Sequence, residues 1–455
     1  MFSQMNLFPD QGKIFRPIHY LGSKLRMIDH LEQIIDEVDP SKGRVYDLFS
    51  GSGTVSAYLN RNRLVTAVDI QEYSKVLTSA LILPCNLEEM KNILKIDFEK
   101  SEVYRELISI FKPIIKYEKE LFEEIDEKSD EKMAYYIENS SIIKKQLGYA
   151  KITEGYLEEL ISRSIENLKN RGWENNNKAV ITRYYGGVYF SFNQAVCIDT
   201  LLEFADTFSD NLKNVFVAAI LSTASEVVNT IGKHFAQPLS VYNKEHKAKN
   251  GIFKRALKDR KLNVFEVFKE KMNEIIIVKE FFLGNIENHV VRADYIDALE
   301  NLDADTSVIY ADPPYTRYHY SRYYHVLETI SLRDTPQLTT VQKNGIETLS
   351  KGIYRADRIL SDFSVISKAP KAFEELFSSI SVRGIPLILS YSPQGNPASS
   401  TPRSISIEQI TKISQKYFNQ LEISTVRDIK HSKLNKKSTH LEVNENAEIL
   451  FLMKP

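Results

Sequence analysis

Asp312-Pro313-Pro314-Tyr315 closes the apolar run Ser307-Val308-Ile309-Tyr310-Ala311 and is the part of this chain best suited to chemistry. The run reads as a buried parallel strand. Proline cannot donate to a ladder and restricts the residue before it, so the two prolines end the strand. Past its carboxyl end, a rigid turn holds one carboxylate, one freed carbonyl and one aromatic ring. These groups suit a planar base with an exocyclic amine: two acceptors for the amine and a ring to stack on the base. A Pro-Pro turn alone is commonly structural, and this one gains weight from what stands upstream.

Val45-Tyr46-Asp47-Leu48-Phe49 is a short apolar strand that runs into Ser50-Gly51-Ser52-Gly53-Thr54, with a helix expected from Val55 to Asn60. Glycines let a backbone turn sharply and lie close to a ligand, as in nucleotide-binding strand-turn-helix units. A second strand, Leu64 to Asp69, ends in an acid, the usual place to hold ribose hydroxyls. Before both stands His19-Tyr20-Leu21-Gly22-Ser23-Lys24, then a helix expected over Leu25 to Val38 with Ile28, Leu31, Ile35 and Val38 on its buried face. Tyr20 and Lys24 precede that helix, where they are free to face a ligand.

In order and content these segments resemble the amino-methylating DNA methyltransferases of the alpha group, which includes the Dam-like adenine enzymes. The run Tyr320 to Ile330 and the stretch Val228-Asn229-Thr230-Ile231-Gly232 are similar to segments of type IIS (FokI-like) modification methylases. The resemblance implies S-adenosylmethionine as methyl donor, S-adenosylhomocysteine as product, no metal, and adenine N6 in double-stranded DNA as acceptor. It implies that Tyr20 and Lys24 contact the cofactor and that Gly51 and Gly53 pass beneath its amino-acid part. By the same resemblance Asp47 and Phe49, which border that loop, would also bind the cofactor, Asp69 would hold its ribose, and Asp294-Tyr295 would meet its adenine. Asp312 and the Pro313 carbonyl would accept from the target amine, Pro314 would stiffen the turn, and Tyr315 would stack on a base flipped out of the duplex. The family often carries other residues at Asp47-Leu48 and Ala293.

At 455 residues, the chain has enough length for a catalytic domain plus a sizeable insertion. Its 43% hydrophobic and 26% charged residues exclude a disordered chain. No apolar run approaches the roughly 20 residues that span a bilayer, and no secretory segment is evident, so no membrane partner is expected. Cys85 and Cys197 form neither a metal-ligand spacing nor a disulfide framework, which makes a reduced cytoplasm the simplest location.

The net charge of −1 provides no overall basic field for phosphate, but the charges are unevenly spread. Lys244, Lys247, Lys249, Lys254, Arg255, Lys258, Arg260 and Lys261 crowd one segment, for which DNA backbone contact, chiefly through Lys254 and Arg255, is favoured over a merely solvated face. Arg427, Lys430, Lys433, Lys436 and Lys437 form a second basic cluster, whereas Glu118 to Glu131 reads as an acidic solvated face. Around the proline turn, Arg317, Tyr318, His319, Tyr320, Arg322, Tyr323 and Tyr324 could touch DNA phosphates through Arg317 and Arg322. The alternative is a helix that lays its tyrosines into the core.

The expected architecture is α/β: a Rossmann-like methyltransferase sheet with a large, mainly helical target-recognition insertion. Residues 1–83 and 276–455 would form the catalytic domain and 84–275 the insertion, with helices over Glu102–Phe111 and Ile152–Asn170. Further strands are expected at Ile275–Leu283 and Ile385–Ser390, and a hairpin of Leu421–Ile429 with Ala447–Met453 should join the sheet edge. In Arg183 to Ser191, core packing is the simpler account of the aromatics, with DNA contact the other. Three rivals to adenine methylation stand: cytosine N4 methylation, modification of RNA or a protein glutamine, and an inactive DNA-recognition subunit. A cognate restriction endonuclease or defence-system subunit would be the partner of a modification enzyme.

Overall fold

Val308, Ile309, Tyr310 and Ala311 are buried, as a strand covered on both faces by helices requires. They lie at the centre of the sheet in a computed structural model of the chain. The structure describes residues 17–19, 24, 27–150, 155–282, 284–315, 320–343, 345–392, 403–427 and 446–455.

The strands are β1 (Arg44–Asp47), β2 (Val65–Asp69), β3 (His289–Arg292), β4 (Thr306–Ala311), β5 (Thr340–Lys343), β6 (Ile346–Leu349), β7 (Leu387–Tyr391), β8 (Gln420–Arg427) and β9 (Asn446–Lys454). Seven of them make one sheet in the order β3-β2-β1-β4-β7-β9-β8. The pairs from β3 through β7 are parallel, while β9 runs antiparallel between β7 and β8. The expected C-terminal hairpin therefore forms, and its second strand is the one that joins the sheet, Leu389 pairing with Phe451. The order reverses between β1 and β4, which opens a crevice at the carboxyl ends of the strands.

Three helices fix the early strands: α1 (Ile28–Val38), α2 (Thr54–Leu59) and α3 (Glu72–Ile82). The buried face of α1 is Ile28, Leu31, Ile34 and Ile35, whereas Val38 is only half-buried. The strand expected at Ile275–Leu283 is instead the end of a helix, Val264–Phe281; Leu283 itself lies outside the described residues. Four consecutive aliphatic residues imitate a strand, but the buried Met272, Ile275, Ile276 and Lys279 recur at helical spacing. Lys279 donates to the Leu81 carbonyl at 3.1 Å, which gives its buried ammonium a partner. The strand beside β2 is β3, which the sequence reading missed.

The chain divides into two compact units. The sheet unit comprises Met1–Leu87, Ile275–Ser321 and Ile359–Pro455; the other comprises Glu88–Glu274 and Arg322–Arg358, so the latter segment groups with the helical part. The second unit is mainly helical, with a β5–β6 hairpin. Its helix Glu102–Glu123 runs well past the expected end at Phe111.

The acids of 118–131 form the expected solvated face, with Glu120, Glu123, Glu124, Asp126, Glu127 and Glu131 exposed, and Glu118 is the exception. It is 2% exposed and accepts from Tyr136 Oη and from the Phe192 amide at 2.9 Å. Arg260, read as part of an exposed basic run, is also buried. It faces Glu118 at 3.8 Å and donates to Asn229 Oδ1 at 3.1 Å and the Gly187 carbonyl at 2.9 Å. A charge this deep is tolerated only when paired and fully bonded. Tyr184, Tyr185, Tyr189 and Phe190 are buried, so core packing accounts for that aromatic run. Among the described residues no helix is long and apolar enough to cross a membrane.

Candidate active site

The loop after β1 follows from its glycines. Gly51 (φ 55°) and Gly53 (φ 74°) occupy the left-handed region, and a Cβ on Gly53 would meet Thr78 Oγ1 at 2.7 Å and its Cα at 3.0 Å. Glycine therefore lets the loop lie flat on α3. The Leu48 amide bonds to the Tyr310 carbonyl and the Ser50 amide to the Val68 carbonyl, both at 3.0 Å, so the loop is hung between β4 and β2.

A cavity of about 450 Å³ opens at these strand ends within the sheet unit. Lys24, Asp47, Phe49, Gly51, Asp69, Asp294, Tyr295, Asp312 and Pro314 all line it, though they come from five separate stretches of sequence. Gly53 is not among the lining residues and lies against Thr78 of α3. Tyr20 and Arg317 lie outside the described residues, as do Tyr318, His319 and all of the second basic cluster except Arg427.

Each acid on the cavity is held differently. Asp47 Oδ2 accepts from Ser56 Oγ at 2.7 Å, and Oδ1, buried, has no hydrogen-bond partner among the described residues. Burial pushes this carboxyl up to about 7 against the pull of Ser56. Asp69 accepts from the Gly51 amide at 3.0 Å and the Gln71 amide at 2.9 Å; burial raises its pKa too. Asp294 caps the helix Tyr295–Glu300 by accepting from the Ile296 amide at 3.0 Å.

Asp312 follows β4. Its Oδ1 lies 3.1 Å from Lys24 Nζ and its side chain is 22% exposed. Burial raises its pKa to about 6 although Lys24 pulls it down. Burial alone would lower the Lys24 pKa, yet Asp312 and Glu448 outweigh it and raise it well above the ordinary value. The ammonium therefore stays charged.

One wall is aromatic. Phe49, Tyr295 and Phe363 pack with ring centroids 5.2–5.7 Å apart. Phe363 escaped the sequence reading because it sits on a single helical turn, Asp362–Ser364, with no flanking motif. Ser364 Oγ donates to the Pro314 carbonyl at 2.7 Å and braces the turn. Tyr315 points elsewhere: 8% exposed, it packs on Tyr391 at 4.5 Å, with the Arg403 guanidinium 5.2 Å from its ring. Its ring belongs to the core of the sheet unit and is not part of the cavity lining.

In the helical unit, Lys254 and Arg255 are exposed on the helix Ile252–Arg260. Arg322 is half-buried and donates to Tyr354 Oη at 2.9 Å. Among the described residues no group of three His, Cys, Asp or Glu is placed to hold a metal ion.

A mostly parallel sheet whose order reverses between β1 and β4, with a glycine loop and the Asp312 turn on one cavity, defines a Rossmann-like methyltransferase domain. The chain belongs to the D12 class N6 adenine-specific DNA methyltransferase family, whose pattern matches residues 20–188 and 240–429. It is similar to modification methylase LlaI of Lactococcus lactis subsp. lactis, 22% identical over 377 residues, 83% of this chain and 46% of that protein. It is also similar to modification methylase StsI of Streptococcus sanguinis (22% identical; 96% of this chain, 51% of that protein). Type II methyltransferase M.FokI of Planomicrobium okeanokoites is 23% identical over 83% of this chain and 45% of its own length. The chain thus spans about half the length of these relatives.

Proposed function

We propose that this chain transfers a methyl group from S-adenosylmethionine to the N6 amine of an adenine flipped out of duplex DNA. The carrying observation is Asp312, fixed by Lys24 at the end of β4 on the cavity that the glycine loop also borders. The cavity's chemistry fits the cofactor. Asp47 Oδ1 is a buried acceptor with no donor among the described residues, which an α-ammonium would supply, and Phe49, Tyr295 and Phe363 offer an apolar aromatic wall to an adenine ring. When bound, S-adenosylmethionine supplies an electron-poor methyl carbon on a sulfonium sulfur.

The chain's own residues do the rest. Lys24 occupies Oδ1 of Asp312, and Oδ2 accepts one hydrogen of the amine while the Pro313 carbonyl accepts the other. With both hydrogens held, the nitrogen lone pair has one direction left, so the rate gain is mainly positional. Lys254, Arg255 and Arg322 contact DNA phosphates. The flipped base costs roughly a few kcal/mol to extrude, which such contacts offset. A modification role beside a restriction endonuclease or defence subunit, in the cytoplasm, fits relatives named modification methylases.

The test is to incubate the protein with duplex DNA and labelled S-adenosylmethionine, then digest to nucleosides. Label in N6-methyladenine is the expected result. Label in N4-methylcytosine, or in RNA but not DNA, would overturn the assignment.

A further inference from the structure

Glu448 lies in β9 beside the buried Ile449, Leu450, Phe451 and Met453, a place where an acid is rare unless it is paired. Its Oε1 is 3.3 Å from Lys24 Nζ, the same ammonium that stands 3.1 Å from Asp312 Oδ1. Lys24 and Glu448 side chains are each 6% exposed, whereas Asp312 opens on the cavity. One buried cation thus joins two carboxylates carried by different strand ends, only one of which lines the cavity.

Resting on the function proposed above, we propose that Glu448 is a positioning residue for Asp312. It holds Lys24 from behind, so the ammonium meets one oxygen of Asp312 and shares its charge between two acids. A buried lysine with a single carboxylate partner would give that partner its whole field and weaken it as an acceptor. With Glu448 in place, Asp312 remains basic enough to take a hydrogen from an amine. Among the described residues, the other groups facing Asp312 are Asp47 from β1, Tyr310 from β4, and Tyr315 and Tyr320 beyond the turn, with Arg403 over the Tyr315 ring. The tyrosines are neutral at physiological pH, since burial raises each of them. Asp47 and Glu448 therefore oppose Lys24 and Arg403. Burial and Glu448 push Asp312 up, and Lys24 alone pulls it down strongly.

Carbon-13 NMR on protein labelled at its aspartate carboxyl carbons reads this directly, with the Asp312 signal assigned by its loss in Asp312→Asn. In Glu448→Gln the Asp312 titration should move to lower pH by about half a unit or more, since a neighbouring anion has gone. The same variant should keep its KM for S-adenosylmethionine, lose roughly ten-fold in kcat on the plateau, and show its acid limb at lower pH. Should the glutamine variant fail to fold, Glu448→Asp keeps the charge but draws it back, and must move the titration the same way by less. An Asp312 titration that stays put in the variant overturns the inference, whatever the methylation result. Absence of methyl transfer by the parent protein overturns the proposed function instead, and leaves the NMR result standing.

Discussion

The Gly51 amide donates to Asp69 Oδ2 at 3.0 Å, tying the glycine loop after β1 to the end of β2. The second oxygen of Asp69 takes the Gln71 amide at 2.9 Å, so this carboxylate satisfies two backbone donors that would otherwise be orphaned. An acid at this position, expected from sequence to serve a ribose, is first of all a brace.

Asp69→Ala should therefore lower stability by about 2–4 kcal/mol with no ligand present, because two charge-assisted hydrogen bonds are lost and buried amides are exposed as unpaired. Chemical denaturation of the free protein checks this. A residue that only received a ligand would leave the free protein's stability unchanged.

Asp47 makes stability depend on pH. Its folded pKa, near 7, lies above the ordinary carboxylate value, so the folded state holds the proton more tightly than the unfolded state does. The sign follows: this stability is fully present at acid pH below the ordinary value, and is lost as pH rises through about 7. Asp47→Asn should remove that loss, gaining on the order of a few kcal/mol at pH 8 relative to the parent and nothing at pH 4. Calorimetric titration with S-adenosylhomocysteine should give the opposite ranking: parental affinity rises from pH 6 to 8, whereas the asparagine variant binds more weakly and without that slope.

Tyr315 is placed to support the turn from behind. Truncation to alanine removes a buried ring from contact with Tyr391 and should cost about 3 kcal/mol in the absence of DNA. Tyr315→Phe keeps the ring and should fold at parental stability. If alanine at this position left stability intact and only weakened binding to a duplex with an extruded base, the ring would be acting on DNA and not in the core.

Much of the sheet unit was legible because its signals are local. Val45 to Thr54, Leu64 to Asp69 and Ser307 to Tyr315 each combine a strand with the turn that ends it, and turn chemistry is written in glycines and prolines. The strand assigned to Ile275–Leu283 failed for the converse reason: a short apolar run carries no period of its own, and the surrounding helix decides it. Glu118 and Arg260 were misjudged because a charge run gives no sign of which member is turned inward; only their pairing, 142 positions apart in sequence as 260 − 118, does so. Glu448 had a faint signal, an acid amid Ile449 to Met453 in a strand apolar on both faces, but its partner Lys24 lies at the other end of the chain. Phe363 had none, since nothing in Asp362-Phe363-Ser364 distinguishes it from any surface turn.

The central claim is that Asp312 accepts from the amine that is methylated. Single-turnover methyl transfer by Asp312→Ala, measured beside its affinity for S-adenosylmethionine, tests this most directly. The account expects cofactor affinity within a few-fold of the parent and a transfer rate lower by about 10²–10⁴-fold, the range of a lost general-base or positioning group. Parental transfer rates in the folded variant would contradict it.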